Sequence, residues 1–192
     1  NWRATGPKYA KTYQVWKPQF SKVKPGSFLT RTGEIGLMRL ESEGGEFSAA
    51  HFVVGHKKCE HLHGHNWRVK VAVEGEPDEH GMLVDFGELA GLLEKLCAQL
   101  DHRVLVPSSN PSVVVQTQER RVRIDVHGKK FEFPEEDVVF LPVPNITVEE
   151  LARHLLRKLE PELRRRSNLG RIAIWVEEKP GQGAWAELEL RE

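Results

Sequence analysis

Alternation of apolar and polar residues marks the first half of the chain as β-structure. The stretch HNWRVKVAVEGE places apolar side chains at alternate positions from Trp67 to Val73, which is the period of a half-buried strand. The preceding stretch, LMRLESEGGEFSAAHF, is expected to fold back through Gly44 and Gly45, because glycine pairs interrupt strands. Region 36–75 is therefore predicted to be antiparallel β-structure.

Two stretches have the spacing of amphipathic helices. Asp85 and Glu88 have capping-box spacing ahead of a stripe of leucines, which predicts a helix over about 86 to 100. Thr147 opens a T-x-x-E capping box before a second leucine stripe, which is expected to end at Pro161. Each helix has one apolar face, so both are predicted to pack on a sheet.

Period-two patterns return after the first helix. The stretches SVVVQTQ, RVRIDV and KKFEF, with a turn at His127 and Gly128, predict an inserted hairpin within 106–144. Two last strands, RIAIWVEE and AWAELEL, flank a turn at PGQG. The order of strands, helix, strands, helix, strands predicts an α+β domain over 36–192, with both helices on one face of an antiparallel sheet.

Composition narrows the class of protein. The 192 residues are 39% hydrophobic and 29% charged, with 28 basic against 28 acidic residues, which is typical of a globular domain and excludes a disordered or fibrous chain. We find neither a run of ~18 apolar residues nor an apolar signal-peptide core. The two cysteines are too few for a disulfide framework. We therefore expect a cytoplasmic protein with no membrane partner.

Residues 1–35 form a basic N-terminal extension, in which seven basic residues precede the first acidic one, Glu34. Tyr9, Tyr13, Trp16 and Phe20 follow helical spacing, so this segment is predicted to dock on the body as a short helix, or to be a solvated arm. Contact with nucleic acid is the alternative. We disfavour it because nothing beyond residue 35 continues the basic stripe.

Histidines are the strongest chemical signal. Five of the nine lie within fifteen residues: His51, His56, His61, His63 and His65. In the sequence H-G-H, both imidazoles point to one face of a strand. If the preceding strand pairs antiparallel with this one, His51 supplies a third nitrogen. Three imidazoles with an open fourth position are the pattern of a catalytic zinc.

A cysteine and an Asp-His pair lie close to this cluster in sequence. Cys59 has polar neighbours and is four residues before His63, so we expect a reactive thiolate that acts as base or nucleophile. Cys97 lies within an apolar helix stripe and is predicted to be an inert core residue. Asp101 and His102 follow the first helix, where a carboxylate can orient a proton-transferring imidazole.

Six motifs together resemble one enzyme family in the same order: FSAAH, CEHLHGHNW, GMLVDFGEL, LDHRVL, ITVEELA and VEEKPGQGAWAEL. This is the family of 6-pyruvoyl- and 6-carboxy-tetrahydropterin synthases. The likeness covers about residues 36 to 190, apart from the segment between Arg103 and Asn145. It implies the tunnelling fold, with a four-stranded antiparallel sheet and two helices on one face. It also implies a homo-oligomer, either a trimer or a hexamer.

Site residues are transferred from the family only to matching positions. The resemblance implies zinc ligands at His51, His63 and His65, and catalytic residues at Cys59, Asp101 and His102. It also implies that Glu178 binds the pterin ring, with Thr147 and Glu149 near the ring's edge. A carboxylate suits the ring because it accepts paired hydrogen bonds from adjacent N–H donors.

The resemblance implies a zinc-dependent lyase that acts on 7,8-dihydroneopterin triphosphate. The preferred product is 6-carboxy-tetrahydropterin, on the route to deazaguanine bases such as queuosine. The same-class alternatives are a 6-pyruvoyl-tetrahydropterin synthase and a folate-type enzyme that forms 6-hydroxymethyl-dihydropterin with Glu60 as base. Glu60 lies next to Cys59, where a variant branch of the family has its catalytic glutamate. A non-catalytic pterin-binding or nucleic-acid-binding protein is the alternative from another class.

Overall fold

The computed structural model describes residues 37–191. The predicted aromatic helix of the N-terminal extension lies outside the described residues. The described part forms nine strands and two α-helices: β1 (Met38–His51), β2 (His63–Gly75), α1 (Phe86–Ala98), β3 (Arg103–Pro107), β4 (Val113–Gln118), β5 (Arg121–Val126), β6 (Lys129–Pro134), β7 (Val138–Leu141), α2 (Val148–Leu163), β8 (Leu169–Lys179) and β9 (Gln182–Glu189).

The main sheet has six strands in the order β7-β3-β1-β2-β8-β9. Its four strands β1, β2, β8 and β9 pair antiparallel and contain the sheet that the sequence predicts. The prediction of only four antiparallel strands is wrong, because the short strands β3 and β7 extend the sheet in parallel from the end of β1. The sheet is therefore mixed.

Strand β1 is continuous, which corrects the predicted fold-back at its glycine pair. It pairs with β2 along its whole length, and a bulge between Glu43 and Gly45 accommodates the extra residue Gly44. Because the bulge adds one residue, the inward face is kept on both sides of it. Phe47 thus lies opposite Trp67, and both rings are buried.

Both helices cover one face of the sheet, as predicted, with α1 packed on β1 and α2 packed on β8 and β9. The Asp85 side chain caps α1 by accepting a hydrogen bond from the Glu88 amide. Helix α2 continues past Pro161 to Leu163, which corrects its predicted end. Leu163 is fully buried, so core packing holds the last turn. None of the helices in residues 37–191 is long and apolar enough to span a membrane.

The inserted segment is larger than the hairpin predicted for it. Strands β4, β5 and β6 form a separate three-stranded antiparallel sheet, which we call the inserted sheet. This sheet has its own small core, which includes Val122, Ile124 and Val126 of β5 together with Phe52, the residue after β1. The inserted sheet therefore packs against the end of the strand that carries His51.

Candidate metal and substrate site

Three histidines converge where β1 ends and β2 begins. His51 pairs directly with His63 across the two strands, and Ala49 pairs with His65. Because side chains alternate along a strand, all three imidazoles extend the helix-covered face beyond Trp67. One ligand atom from each ring lies within 4.8 Å of the others. Antiparallel pairing thus brings His51 to the H-G-H pair as predicted.

The surroundings of His51 suit it to act as a neutral metal ligand. It is 1% exposed, and its Nδ1 donates a hydrogen bond to the Ile146 carbonyl at 2.9 Å. Its Nε2 therefore holds a lone pair, and it is buried without a hydrogen-bond partner among the described residues. Burial lowers the pKa of His51 to about 4. A buried nitrogen left unpaired is costly, and a bound metal ion would satisfy it.

The other two histidines complete the cluster. His63 Nδ1 donates to the His61 carbonyl at 2.7 Å, which leaves its Nε2 free as a ligand. Burial lowers the pKa of His65, although the nearby Glu178 carboxylate opposes this shift. Neutral imidazoles at neutral pH are what a metal requires. The chemistry of this donor set fits a divalent ion such as zinc, with an open coordination position.

Cys59 lies in a cavity that is connected to the cluster through Glu178, which lines the cavity and lies 3.9 Å from His65 Nε2. The 3-10 turn Lys57–Glu60 is fixed by the Val53 amide, which donates to the Cys59 carbonyl at 2.7 Å. The cavity has a volume of about 380 Å³, and Cys59 shares it with Thr147, Glu149 and Glu178. The tertiary structure therefore gathers four of the predicted site residues around one space, and their roles stay predictions.

Glu178 and its neighbour Glu177 point to opposite faces of β8. The Glu178 carboxylate lies 3.9 Å from His65 Nε2, on the face of the histidine cluster. Glu177 instead accepts a hydrogen bond from the Gly181 amide at 2.7 Å and lies 4.0 Å from Arg68. Only Glu178 is therefore placed to meet a ligand in the cavity, which favours the predicted register.

Asp101 and His102 form the expected pair, with a 2.8 Å contact between Asp101 Oδ2 and His102 Nδ1. The other carboxylate oxygen accepts from the Ser48 amide at 2.7 Å, and this bond and His102 lower the pKa of Asp101. His102 lines a second, open cavity of about 830 Å³, which Cys59 does not line. Among the described residues, Glu178 is the only one that lines both the Cys59 cavity and the His102 cavity.

Glu60 turns away from the histidine cluster. Its Oε1 lies 2.6 Å from His127 Nδ1, and its Oε2 lies 3.9 Å from Lys129 Nζ. Lys129 is the first residue of β6 in the inserted sheet, and His127 lies in the turn between β5 and β6. Glu60 does not line the Cys59 cavity, although the two residues are adjacent in sequence. The two candidate bases therefore have different surroundings.

Sequence reasoning missed the groups that orient His51. The Asn145 side chain accepts from the Val54 amide at 2.9 Å and donates to the Val54 carbonyl at 3.0 Å. It also accepts from the amide of Ile146, whose carbonyl binds His51. Asparagine before a helix cap is a common turn residue, so the sequence carries no specific signal for this role.

The sequence model of the family described as 6-pyruvoyl tetrahydropterin synthase matches residues 42–189. A putative 6-carboxy-5,6,7,8-tetrahydropterin synthase of Pyrococcus abyssi is 33% identical over 147 residues, which cover 76% of this chain and 86% of that protein. The protein of the same description from Methanocaldococcus jannaschii is 31% identical over 141 residues, covering 72% of this chain and 86% of its own length.

A solved structure gives the same assignment. The 6-pyruvoyltetrahydropterin synthase of Plasmodium vivax, in a form with alanine at a catalytic glutamate, is 26% identical and superposes with a TM-score of 0.75. The match covers 81% of this chain and 99% of that one. The predicted resemblance and the predicted class of enzyme, a lyase of this type, are thereby confirmed. The chain belongs to the 6-pyruvoyl tetrahydropterin synthase family.

Proposed function

We propose that the protein is a zinc-dependent lyase that converts 7,8-dihydroneopterin triphosphate into 6-carboxy-5,6,7,8-tetrahydropterin. The observation that carries this proposal is that Cys59 shares a cavity with Glu178, whose carboxylate lies 3.9 Å from His65 of the three convergent histidines. The names of the archaeal relatives favour the carboxy product. That product would place the protein on a route to deazaguanine bases such as queuosine.

Each chemical role that this reaction needs is assigned to a residue with suitable surroundings. His51, His63 and His65 would hold the zinc, which supplies a Lewis acid for oxygen atoms of the substrate side chain. Cys59 removes and returns the proton on the carbon next to the ring. Glu178 accepts hydrogen bonds from the pterin ring, and Thr147 and Glu149 border the same cavity.

Asp101 and His102 relay protons between substrate and solvent. Asp101 fixes the His102 ring through Nδ1, so the other ring nitrogen can exchange a proton. His102 is 82% exposed and lies in a different cavity from Cys59. We therefore infer that the complete site forms in a homo-oligomer, a trimer or hexamer, in which this pair reaches the Cys59 cavity of a neighbouring copy.

Unpaired edges of the main sheet support this assembly. Within residues 37–191, the outer edge of β1 pairs with β3 only at Ala49 and Ala50, and β9 pairs only with β8. Long unpaired edges are a liability in a soluble monomer, and closing sheets into a shared barrel removes them. Light scattering tests the proposal, and a stable monomer that is active at nanomolar concentration would contradict it.

The rival within the family is a lyase that uses Glu60 as base to form 6-hydroxymethyl-dihydropterin. The catalytic glutamate of the Plasmodium vivax relative favours this alternative. The contacts of Glu60 with His127 and Lys129 disfavour this alternative, because they direct the Glu60 carboxylate to the insertion. A pterin- or nucleic-acid-binding protein without activity is the remaining alternative, and it would bind its ligand without turnover.

Product analysis separates these functions. The zinc-loaded protein is incubated with 7,8-dihydroneopterin triphosphate, and the products are identified by mass spectrometry. We expect 6-carboxy-tetrahydropterin, its loss in Cys59→Ala, and its retention in the matched control Cys97→Ala, because Cys97 is a buried core residue. If Cys59→Ala keeps the full rate and product spectrum, the Glu60 function replaces this one. Full zinc occupancy in both His63→Ala and His65→Ala would refute the metal assignment.

A further inference from the structure

The side chain of Glu60 is held by the inserted sheet. It is only 14% exposed, and its two oxygens face His127 at 2.6 Å and Lys129 at 3.9 Å. His127 is 67 positions away in the sequence, so this contact links the turn that bears Cys59 to the insertion. Lys129 is a cation and the His127 ring donates a hydrogen bond to the carboxylate, and hydrogen bonds to an ionised group are stronger than neutral ones.

The turn that presents His127 is rigid. Val126 pairs with Lys129, so His127 and Gly128 form a two-residue hairpin turn. Both have positive φ angles, 49° and 81°, as a type I′ turn requires. The Gly128 amide also donates to the Asp125 carboxylate at 3.2 Å. His127 therefore projects from a fixed backbone rather than from a loose loop.

The inserted sheet is also anchored next to the histidine cluster. Phe131 of β6 stacks on Phe52, with ring centroids 5.7 Å apart and an angle of 11° between the rings. Phe52 is fully buried and directly follows His51. Since the same sheet carries His127, the position of Glu60 is tied to the end of β1 through packed side chains.

We propose that His127 and Lys129 are positioning residues that hold Glu60 out of the substrate cavity, and so leave Cys59 as the base. Cys59 and Glu60 occupy successive positions of a 3-10 turn, where neighbouring side chains diverge by roughly 120°. Fixing Glu60 on the inserted sheet therefore also fixes the rotation of the turn that directs Cys59 into the cavity. The proposal rests on the lyase function proposed above.

The consequence concerns which product is released. In the competing cleavage, a base takes the proton of a side-chain hydroxyl, and the adjacent carbon–carbon bond breaks. The carbon that carried this hydroxyl becomes an aldehyde carbonyl and leaves with the triphosphate, the electron pair of the broken bond passes into the ring, and the carbon left on the ring is reprotonated, with no oxidant or reductant required. A carboxylate released into the cavity could serve this step. The insertion thus selects against the hydroxymethyl product.

The test removes the two positioning side chains without disturbing the turn. His127→Asn keeps a residue that favours positive φ, and Lys129→Gln removes the charge. In the double variant we expect the hydroxymethyl share of the products to rise at least tenfold at unchanged zinc content. Adding Glu60→Gln should abolish this rise. The matched control is His80→Asn, because His80 is an exposed histidine beside Glu79 and should leave the product ratio unchanged.

A second measurement needs no turnover. Iodoacetamide alkylates accessible thiols, and a carboxylate that has lost the Lys129 charge and the His127 hydrogen bond disfavours a thiolate beside it. In the metal-free double variant, Cys59 should therefore react at least threefold more slowly than in the wild type, and Glu60→Gln should restore the rate. An active enzyme with an unchanged product ratio, or an unchanged alkylation rate, would overturn the proposal. A wild type without turnover refutes the lyase function instead, and the alkylation rate then decides the positioning role.

Discussion

A substitution of Asn145 tests whether the fold orients His51 for metal binding at the proposed site. Its side chain makes three hydrogen bonds, two with the backbone of Val54 and one with the Ile146 amide. Ile146 in turn accepts the hydrogen bond that orients the His51 ring. Replacing Asn145 with alanine would therefore release both the segment after β1 and the carbonyl that sets the His51 tautomer.

The expected loss of stability and of zinc affinity in Asn145→Ala follows from these contacts. A hydrogen bond contributes about 1 kcal/mol to stability, so Asn145→Ala should lower the free energy of unfolding by roughly 3 kcal/mol. Loss of an orienting partner behind a metal ligand weakens metal binding by about 10- to 100-fold, and we expect the lower part of this range because Asn145 acts through Ile146. Urea unfolding measures the first effect, and competition with a zinc chelator measures the second.

Asn110→Ala is the matched control. Asn110 donates to the Pro144 carbonyl at 2.7 Å and accepts from the Ser112 amide at 2.9 Å, but it does not contact Val54 or Ile146. We expect it to lose stability, by about 2 kcal/mol, and to keep its zinc affinity. If both variants lose zinc affinity equally, or if Asn145→Ala keeps it, the orienting role is refuted.

Three further predictions follow from the site. In the metal-free protein, burial lowers the pKa of His51 to about 4, so His51 stays neutral below pH 6.5 while the same residue in the unfolded chain gains a proton. The free energy of unfolding should therefore fall by about 3 kcal/mol between pH 6.5 and pH 4. Urea unfolding at several pH values measures this fall, which should be absent from His51→Gln. Glu178→Gln should weaken pterin binding at least tenfold by calorimetry, whereas Glu177→Gln should not. Burial raises the pKa of Cys97 to about 12, so peptide mass spectrometry should find iodoacetamide on Cys59 alone at pH 8.

Local patterns in the sequence determined the core of the fold. Alternation over β2 and β8 and the capped leucine stripes of α1 and α2 depend on contacts between residues close in the chain, so they could be read without tertiary information. The H-G-H pair likewise shares one face by strand geometry alone. The motif order then indicated the family, which the comparisons confirm, and predicted the residues of the site.

Long-range contacts decided the rest. The short strands β3 and β7 have too few residues for a clear period, and they form strands because β3 pairs with the end of β1 and β7 pairs with β3. The bulge at Gly44 and the continuation of α2 through Pro161 are likewise settled by pairing and burial, which override local preference.

The chemistry of the site shows the same division. Sequence alone left both Cys59, the preferred base, and Glu60, the alternative, as candidates, because adjacent residues share the same local neighbourhood. The inserted sheet separates them, since it presents His127 to Glu60 across 67 positions of sequence. The orphaned nitrogen of His51 is also a tertiary property, because it arises from burial under residues distant in the chain. Residue types and spacing indicated the chemistry, and packing determined that Cys59 rather than Glu60 lines the cavity with Glu178.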